Sequence, residues 1–210
     1  MPRPRSQQVP HNGRGFSQCA VIVDGETEVI YIDKMRACER VSIKGVEADG
    51  DVDKQFSQAR RLHDVDGYAN VYWLIDYDVI ARDNRQCIDA SKKKLTLLKQ
   101  YMQRATSMPW LHIIFNSPCL EYWLLLHFEP NNHRAYEQFD GDLETALRKH
   151  LTDYEKTRKY YESGLGIYRK LRSRLATARQ AASGLTFNPK SGQCAPTAEI
   201  YRIFDNLGIK

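Results

Sequence analysis

Two apolar runs, each ending in carboxylates, constrain this chain more than any other feature. Cys19-Ala20-Val21-Ile22-Val23 leads into Asp24-Gly25-Glu26-Thr27-Glu28, and Val71–Ile75 leads into Asp76-Tyr77-Asp78. Short apolar runs bounded by turn-forming residues read as buried strands. Both strands deliver acids at their C-terminal ends, the edge at which open parallel sheets bind ligands. Hard oxygen donors gathered there suit Mg²⁺ or Mn²⁺. The pair is a candidate site for metal-dependent phosphoryl transfer or nuclease chemistry.

The rest of the pattern supports such a sheet. Residues 19–23, 41–46, 70–75 and 110–115 read as strands. Residues 28–39 read as a helix with Thr27 as its N-cap, 54–65 as an amphipathic helix closed by Gly67, 86–106 as one long helix, and 119–128 as a strongly apolar one. Strands alternating with helices imply βαβ units and a mainly parallel sheet. Near residue 130 the pattern turns helical, polar and basic as far as Ser183, and 197–207 reads as a last helix. The expected class is therefore α/β, with three parts: a flexible basic arm over 1–17, an α/β core over 18–130, and a helical basic region over 131–210 that completes the domain.

Charge points to a polyanionic partner. The net charge is +5, and between Arg148 and Arg179 ten Lys and Arg face three acids, a local excess larger than that of the whole chain. A basic segment beside a carboxylate site is what a nucleic-acid enzyme needs. Lys156, Arg158, Lys159, Arg169, Lys170, Arg172 and Arg174 are the candidate phosphate contacts. The longest apolar run, around Trp123–Phe128, falls far below the roughly 20 residues of a membrane span. The polar first residues lack the apolar stretch of a signal peptide. Five scattered cysteines without a C-x-x-C fit reduced thiols in a cytoplasmic protein.

Asp24, Glu28, Asp76 and Asp78 are the candidate catalytic and metal-binding residues. On an ideal strand Asp76 and Asp78 point to one side. Gly25 permits a sharp turn after Asp24, and Glu28 falls in the first turn of the next helix. Like charges so clustered are costly unless a cation offsets them, which is the argument for Mg²⁺ or Mn²⁺. The chemistry this supports is metal-assisted phosphodiester cleavage. Alternatives fall away on spacing. No GxxxxGK[ST] occurs, so the chain is not itself a P-loop ATPase. No lysine has an acid two residues before it, against a PD-(D/E)xK nuclease. No H-E-x-x-H or paired Cys/His spacing supports a zinc hydrolase.

These motifs resemble a Toprim domain, in which one strand ends in Glu-Gly and a later one in Asp-x-Asp. Ser117-Pro118-Cys119-Leu120-Glu121-Tyr122-Trp123-Leu124-Leu125-Leu126-His127-Phe128 resembles the "NPcFElWlLLHF" block of the RloB-like family. Asp24–Glu28 resembles its "EGxxTE" block, and Asn188-Pro189 with Thr197 is similar to its "NPST" segment. The resemblance covers about residues 18–207. It implies a Toprim-like nuclease of prokaryotic antiphage defence, an abortive-infection effector working with an ABC-type ATPase. Glu121, placed just after the fourth strand, is a further candidate metal ligand. Asp24 departs from the glutamate usual in the family and is one methylene shorter. That departure supports an alternative: a catalytically degenerate module that binds nucleic acid or a partner protein without cutting. A homo-oligomer is compatible with the aromatic content. His127 and His112 read as structural histidines.

Overall fold

The computed structural model describes residues 18–90, 93–132, 142–164 and 166–210. The expected basic arm over 1–17 lies outside them. The elements begin with β1 (Cys19–Val23), α1 (Glu26–Glu39), β2 (Ile43–Glu47), α2 (Val52–Asp64) and β3 (Asn70–Asp76). They continue with α3 (Tyr77–Gln86), α4 (Lys94–Ala105), β4 (Leu111–Ser117), α5 (Leu120–Leu126), α6 (Asp142–Arg148), α7 (Arg158–Glu162) and α8 (Gly166–Leu171). After a 3₁₀ turn come α9 (Leu175–Ser183), β5 (Thr197–Ala198) and α10 (Tyr201–Asn206).

The strands form one sheet in the order β2-β1-β3-β4-β5, parallel throughout except for β5. The fold is α/β, as its alternating pattern implies. The β1–β2 connection runs to one side of β1, and β3 returns to the other. The strand order therefore reverses between β1 and β3, where α/β sheets open a crevice for ligands. Asp24 and Asp76 stand at the ends of those two strands.

Side-chain alternation splits the interior into two layers. Val21, Val23, Tyr72 and Leu74 face a cluster built with α1, α5 and the helices that follow. Ala20, Ile22, Trp73 and Ile75 face the opposite one, built with α2, α3 and α4. Both faces of β1 and β3 are covered, which is why these strands are apolar along almost their whole length. The segment from Leu143 to Ile209 packs into the first cluster, so the polar, basic stretch contributes an apolar face to the core.

Four expectations are corrected. Helix α1 starts at Glu26 with Gly25, not Thr27, at the N-cap, and the Thr27 hydroxyl donates to the Glu28 carboxylate at 2.9 Å. The single helix expected over 86–106 is two, because α3 begins directly after β3 and ends at Gln86. A new helix starts at Lys94, whose amide donates to Asp83 at 2.7 Å. Asp78 consequently lies in the first turn of α3 and not on a strand with Asp76. The last helix is shorter than expected, because Thr197 and Ala198 add an antiparallel strand against Ser117 and Asn116. Smaller shifts affect β2, which starts at Ile43, and α2, which starts at Val52 behind an Asp51 cap that accepts the Lys54 N–H.

Candidate metal centre at the sheet edge

The cleft is assembled from chain reversals at the C-terminal edge of the sheet. Asp24 follows β1, and Asp76 ends β3 and occupies the N-cap position of α3. Glu28 sits in the first turn of α1 and is buried. Glu121 sits in the first turn of α5, reached from β4 through a cis Ser117–Pro118 bond, and is only 2% exposed. Gly25 is needed for proximity rather than for turning. Its backbone is extended, but a side-chain carbon there would come within 2.9 Å of the Glu28 carboxylate.

Electrostatics show that the acids share one environment. Desolvation and the Glu28 charge push Asp24 up to about 6, against a backbone hydrogen bond from Asp76 and the charge of Lys94. Asp24 is exposed as a residue, so solvent screening tempers that shift. Asp76 sits deeper: burial, then Asp24, Glu28, Glu121 and Asp78 in turn, hold its carboxyl well above the usual range. Desolvation and like charge act in the same direction here, a cost that a bound cation would offset.

Around the acids lie polar atoms without protein partners. Both side-chain polar atoms of Asn116, Ser117 Oγ and Glu121 Oε2 are buried with no hydrogen-bond partner among the described residues. Asn116 is the register partner of Asp76 on β4. Glu121 Oε1 is held by Lys156 Nζ at 2.9 Å and by the Tyr154 hydroxyl at 3.2 Å, and Tyr154 meets Tyr161 at 3.1 Å. On the opposite layer, a cavity of about 40 Å³ beside Asp24 and Asp76 is lined by Asp51, Gln55, Trp73 and Lys94.

The donor set fits a hard divalent cation: carboxylate oxygens, an amide and a hydroxyl, with unpartnered atoms among them. The acids do not form a finished cage. Among the described residues no three His, Cys, Asp or Glu stand ready to hold an ion. Mg²⁺ is usually held by one or two carboxylates with water and substrate oxygens, so a finished cage is not required. Asp24 and Asp76 are the pair best placed to hold it, with Glu28 and Glu121 beside them.

The expected phosphate contacts divide into two groups. Arg158 pairs with Glu26 at 2.5 Å and Glu162 at 2.9 Å, and Arg172 pairs with Glu39, so arginines bracket α1 at its first and last residues. Lys170 pairs with Asp153 at 3.0 Å and lies over the Tyr160 ring, while Arg174 lies over Phe128. Lys156 holds Glu121. Lys159 and Arg169 are exposed on α7 and α8. Much of the local positive charge therefore fastens the helical segment to the core. His127 is buried with Nδ1 on the Trp123 carbonyl at 3.0 Å, and His112 meets Asn70 at 3.1 Å at the opposite, N-terminal edge of the sheet.

Sequence reasoning misses Lys94, Tyr154 and Asn116 at the site. Lys94 is hidden inside a helix that reads as continuous, and Tyr154 comes from a connection 33 residues beyond Glu121. Asn116 carries a usable signal, since it follows an apolar strand directly, as Asp24 and the Asp76 motif do.

Fold and cleft together define an α/β protein with an acidic cleft at the switch point of a mostly parallel sheet. The family model described as RloB-like protein matches residues 19–207. The chain belongs to the RloB-like family. No curated protein and no solved structure matches it. Among the described residues no helix is long and apolar enough to cross a membrane.

Proposed function

We propose that the protein is a divalent-metal-dependent, Toprim-like nuclease that cleaves RNA or DNA phosphodiesters. We infer further that it is an effector of antiphage abortive infection alongside an ABC-type ATPase. The observation that carries the catalytic reading is the juxtaposition of Asp24 and Asp76 at the switch point, within one field of like charge. The defence setting rests on the sequence blocks shared with the RloB-like family.

In this reading, bound Mg²⁺ or Mn²⁺ supplies Lewis acidity, lowering the pKa of water and offsetting charge on phosphate oxygens. Asp24 and Asp76 would hold it at the strand ends. Glu28, turned over Gly25, is the carboxylate placed to accept a proton from attacking water. Lys94 and Lys156 flank the acids on opposite layers and provide positive charge for a phosphodiester. Exposed Lys159 and Arg169 extend that field along the nucleic-acid backbone.

The degenerate-module reading is favoured by one observation: the residue that follows β1 is Asp24, one methylene shorter than the glutamate usual in the family. Cleavage of tRNA, single-stranded RNA, plasmid and linear DNA in Mg²⁺ and Mn²⁺, with Asp76→Ala/Asp78→Ala as control, separates the two. Metal-dependent cutting lost in the control establishes the nuclease. Nucleic-acid binding without cutting, even with an ABC-type ATPase partner added, establishes the module.

A further inference from the structure

Lys156 occupies an unusual place for a surface lysine. It belongs to the connection between α6 and α7, immediately before Thr157, whose hydroxyl caps α7 by accepting the Tyr160 N–H. Its ammonium reaches a carboxylate whose side chain is 3% exposed, while its own side chain stays 39% exposed. The same ammonium also feels the charge of Glu28. Glu28 and Glu121 both act on Asp76. One tethered cation thus stands on the α1–α5 side of a cleft whose acids otherwise repel one another. The other oxygen of Glu121 is buried and without a hydrogen-bond partner among the described residues, as are the side-chain polar atoms of Asn116 and Ser117 at the end of β4.

We propose that Lys156 is a built-in counter-ion that holds Glu121 and its neighbouring acids in the metal-free protein and must be displaced when a divalent cation loads. The inference rests on the metal-binding reading above and adds its regulation. Displacement is mechanically easy, because a half-exposed four-carbon stem can swing into water while the buried carboxylate stays. It is energetically costly, because the Glu121–Lys156 attraction must be given up for each ion bound. The parent protein therefore binds metal more weakly than its carboxylates alone would allow. A phosphodiester that draws the ammonium away makes loading easier, and by linkage metal then favours the phosphodiester.

A purely structural salt bridge gives different results. It holds the 149–157 connection in place whether or not metal is present, and its loss is not repaired by an ion. The test is Mn²⁺ binding by calorimetry, with melting temperature in EDTA and in Mn²⁺, for the parent, Lys156→Met and Lys156→Arg. Displacement predicts that Lys156→Met melts lower than the parent in EDTA and recovers in Mn²⁺. Its Mn²⁺ dissociation constant should be about tenfold lower than the parent's, while Lys156→Arg stays near the parent. Parent-like or weaker Mn²⁺ binding by Lys156→Met overturns the counter-ion role while leaving the metal centre intact. Absence of Mn²⁺ binding by both parent and Lys156→Met overturns the metal reading and the counter-ion with it. If Lys156→Met does not fold, the Lys156 Nζ resonance of the parent decides. A shift to a solvent-like position on adding Mg²⁺ supports displacement, and an unmoved resonance with Mg²⁺ bound rejects it.

Discussion

Asn116 lies opposite Asp76 in the β3–β4 register, yet neither its amide nitrogen nor its amide oxygen has a protein partner among the described residues. A fully buried amide left open beside a carboxylate is costly for folding alone. It is explained if water or a ligand group completes it. Asn116→Leu, with the same branched skeleton, should then change stability by no more than about 1–2 kcal/mol, because removing the unsatisfied atoms together offsets the cost of the bulkier methyl groups. Cleavage should fall at least about tenfold, because the group that orders the cleft is gone. Full activity in a folded Asn116→Leu protein, measured on the substrate found in the panel, would count against this role.

Asp76 ties stability to charge at the cleft. Its carboxyl is raised above the unfolded value, so between those two values the folded chain holds more protons than the unfolded one. Stability then falls as pH rises through that window. Asp24 contributes with the same sign between its ordinary 3.8 and about 6. Asp76→Asn should therefore melt higher than the parent near neutral pH, by roughly 1 kcal/mol, while cleaving nothing. Divalent ions should raise the melting temperature of the parent and leave the variant unmoved. A variant that melts lower and still cuts would falsify the assignment of Asp76.

His127 runs the other way. Burial holds its imidazole down to about 4 from 6.5, in the neutral form. The unfolded chain takes up a proton first as pH falls, so stability is full above 6.5 and drains away as pH drops towards 4. The loss reaches about 3 kcal/mol at most. His127→Gln should remove that slope and expose the opposite one from Asp24 and Asp76. Urea unfolding at several pH values reads both, and an unchanged acid slope in the variant refutes the assignment.

Gly25 gives a test of fine positioning. A methyl group there meets the far end of the Glu28 side chain, which can swing away cheaply. Gly25→Ala should keep the fold within about 1 kcal/mol and still weaken Mn²⁺ binding or cleavage, since Glu28 loses its place over the turn. Parent-like metal affinity and rate would show that the close approach has no function.

The sheet was legible because its evidence is local. Runs such as Cys19–Val23, without polar interruption, read as strands covered on both faces, and β1 and β3 satisfy that rule. Strand order was not legible, because nothing local records that β3 returns to the far side of β1. The break between Gln86 and Lys94 was missed because lysines such as Lys93 and Lys94 are good helix formers, and what stops α3 is a tertiary choice. β5 was missed because two residues carry no periodicity. The acids of the cleft were legible from strand ends and one helix start. The ion pairs that use up Arg158 and Arg172 were not, since their partners Glu26 and Glu39 lie 132 and 133 residues earlier.

The short β5 has a consequence in time. The main-chain N–H of Glu199 donates to the Phe115 carbonyl at 2.7 Å, and its carboxylate accepts the Phe115 N–H at 3.0 Å. Thr197 and Ala198 then pair with Ser117 and Asn116, at the strand end that carries the cleft's open amide. A ribosome has to release everything from Asp24 through Glu199 before this edge can close. During synthesis the acids emerge early and their enclosure late, so a nascent chain carries the charges of the site without its geometry. The strand end that carries Asn116 therefore gains its last pairing only after the stretch around Glu199 has been made.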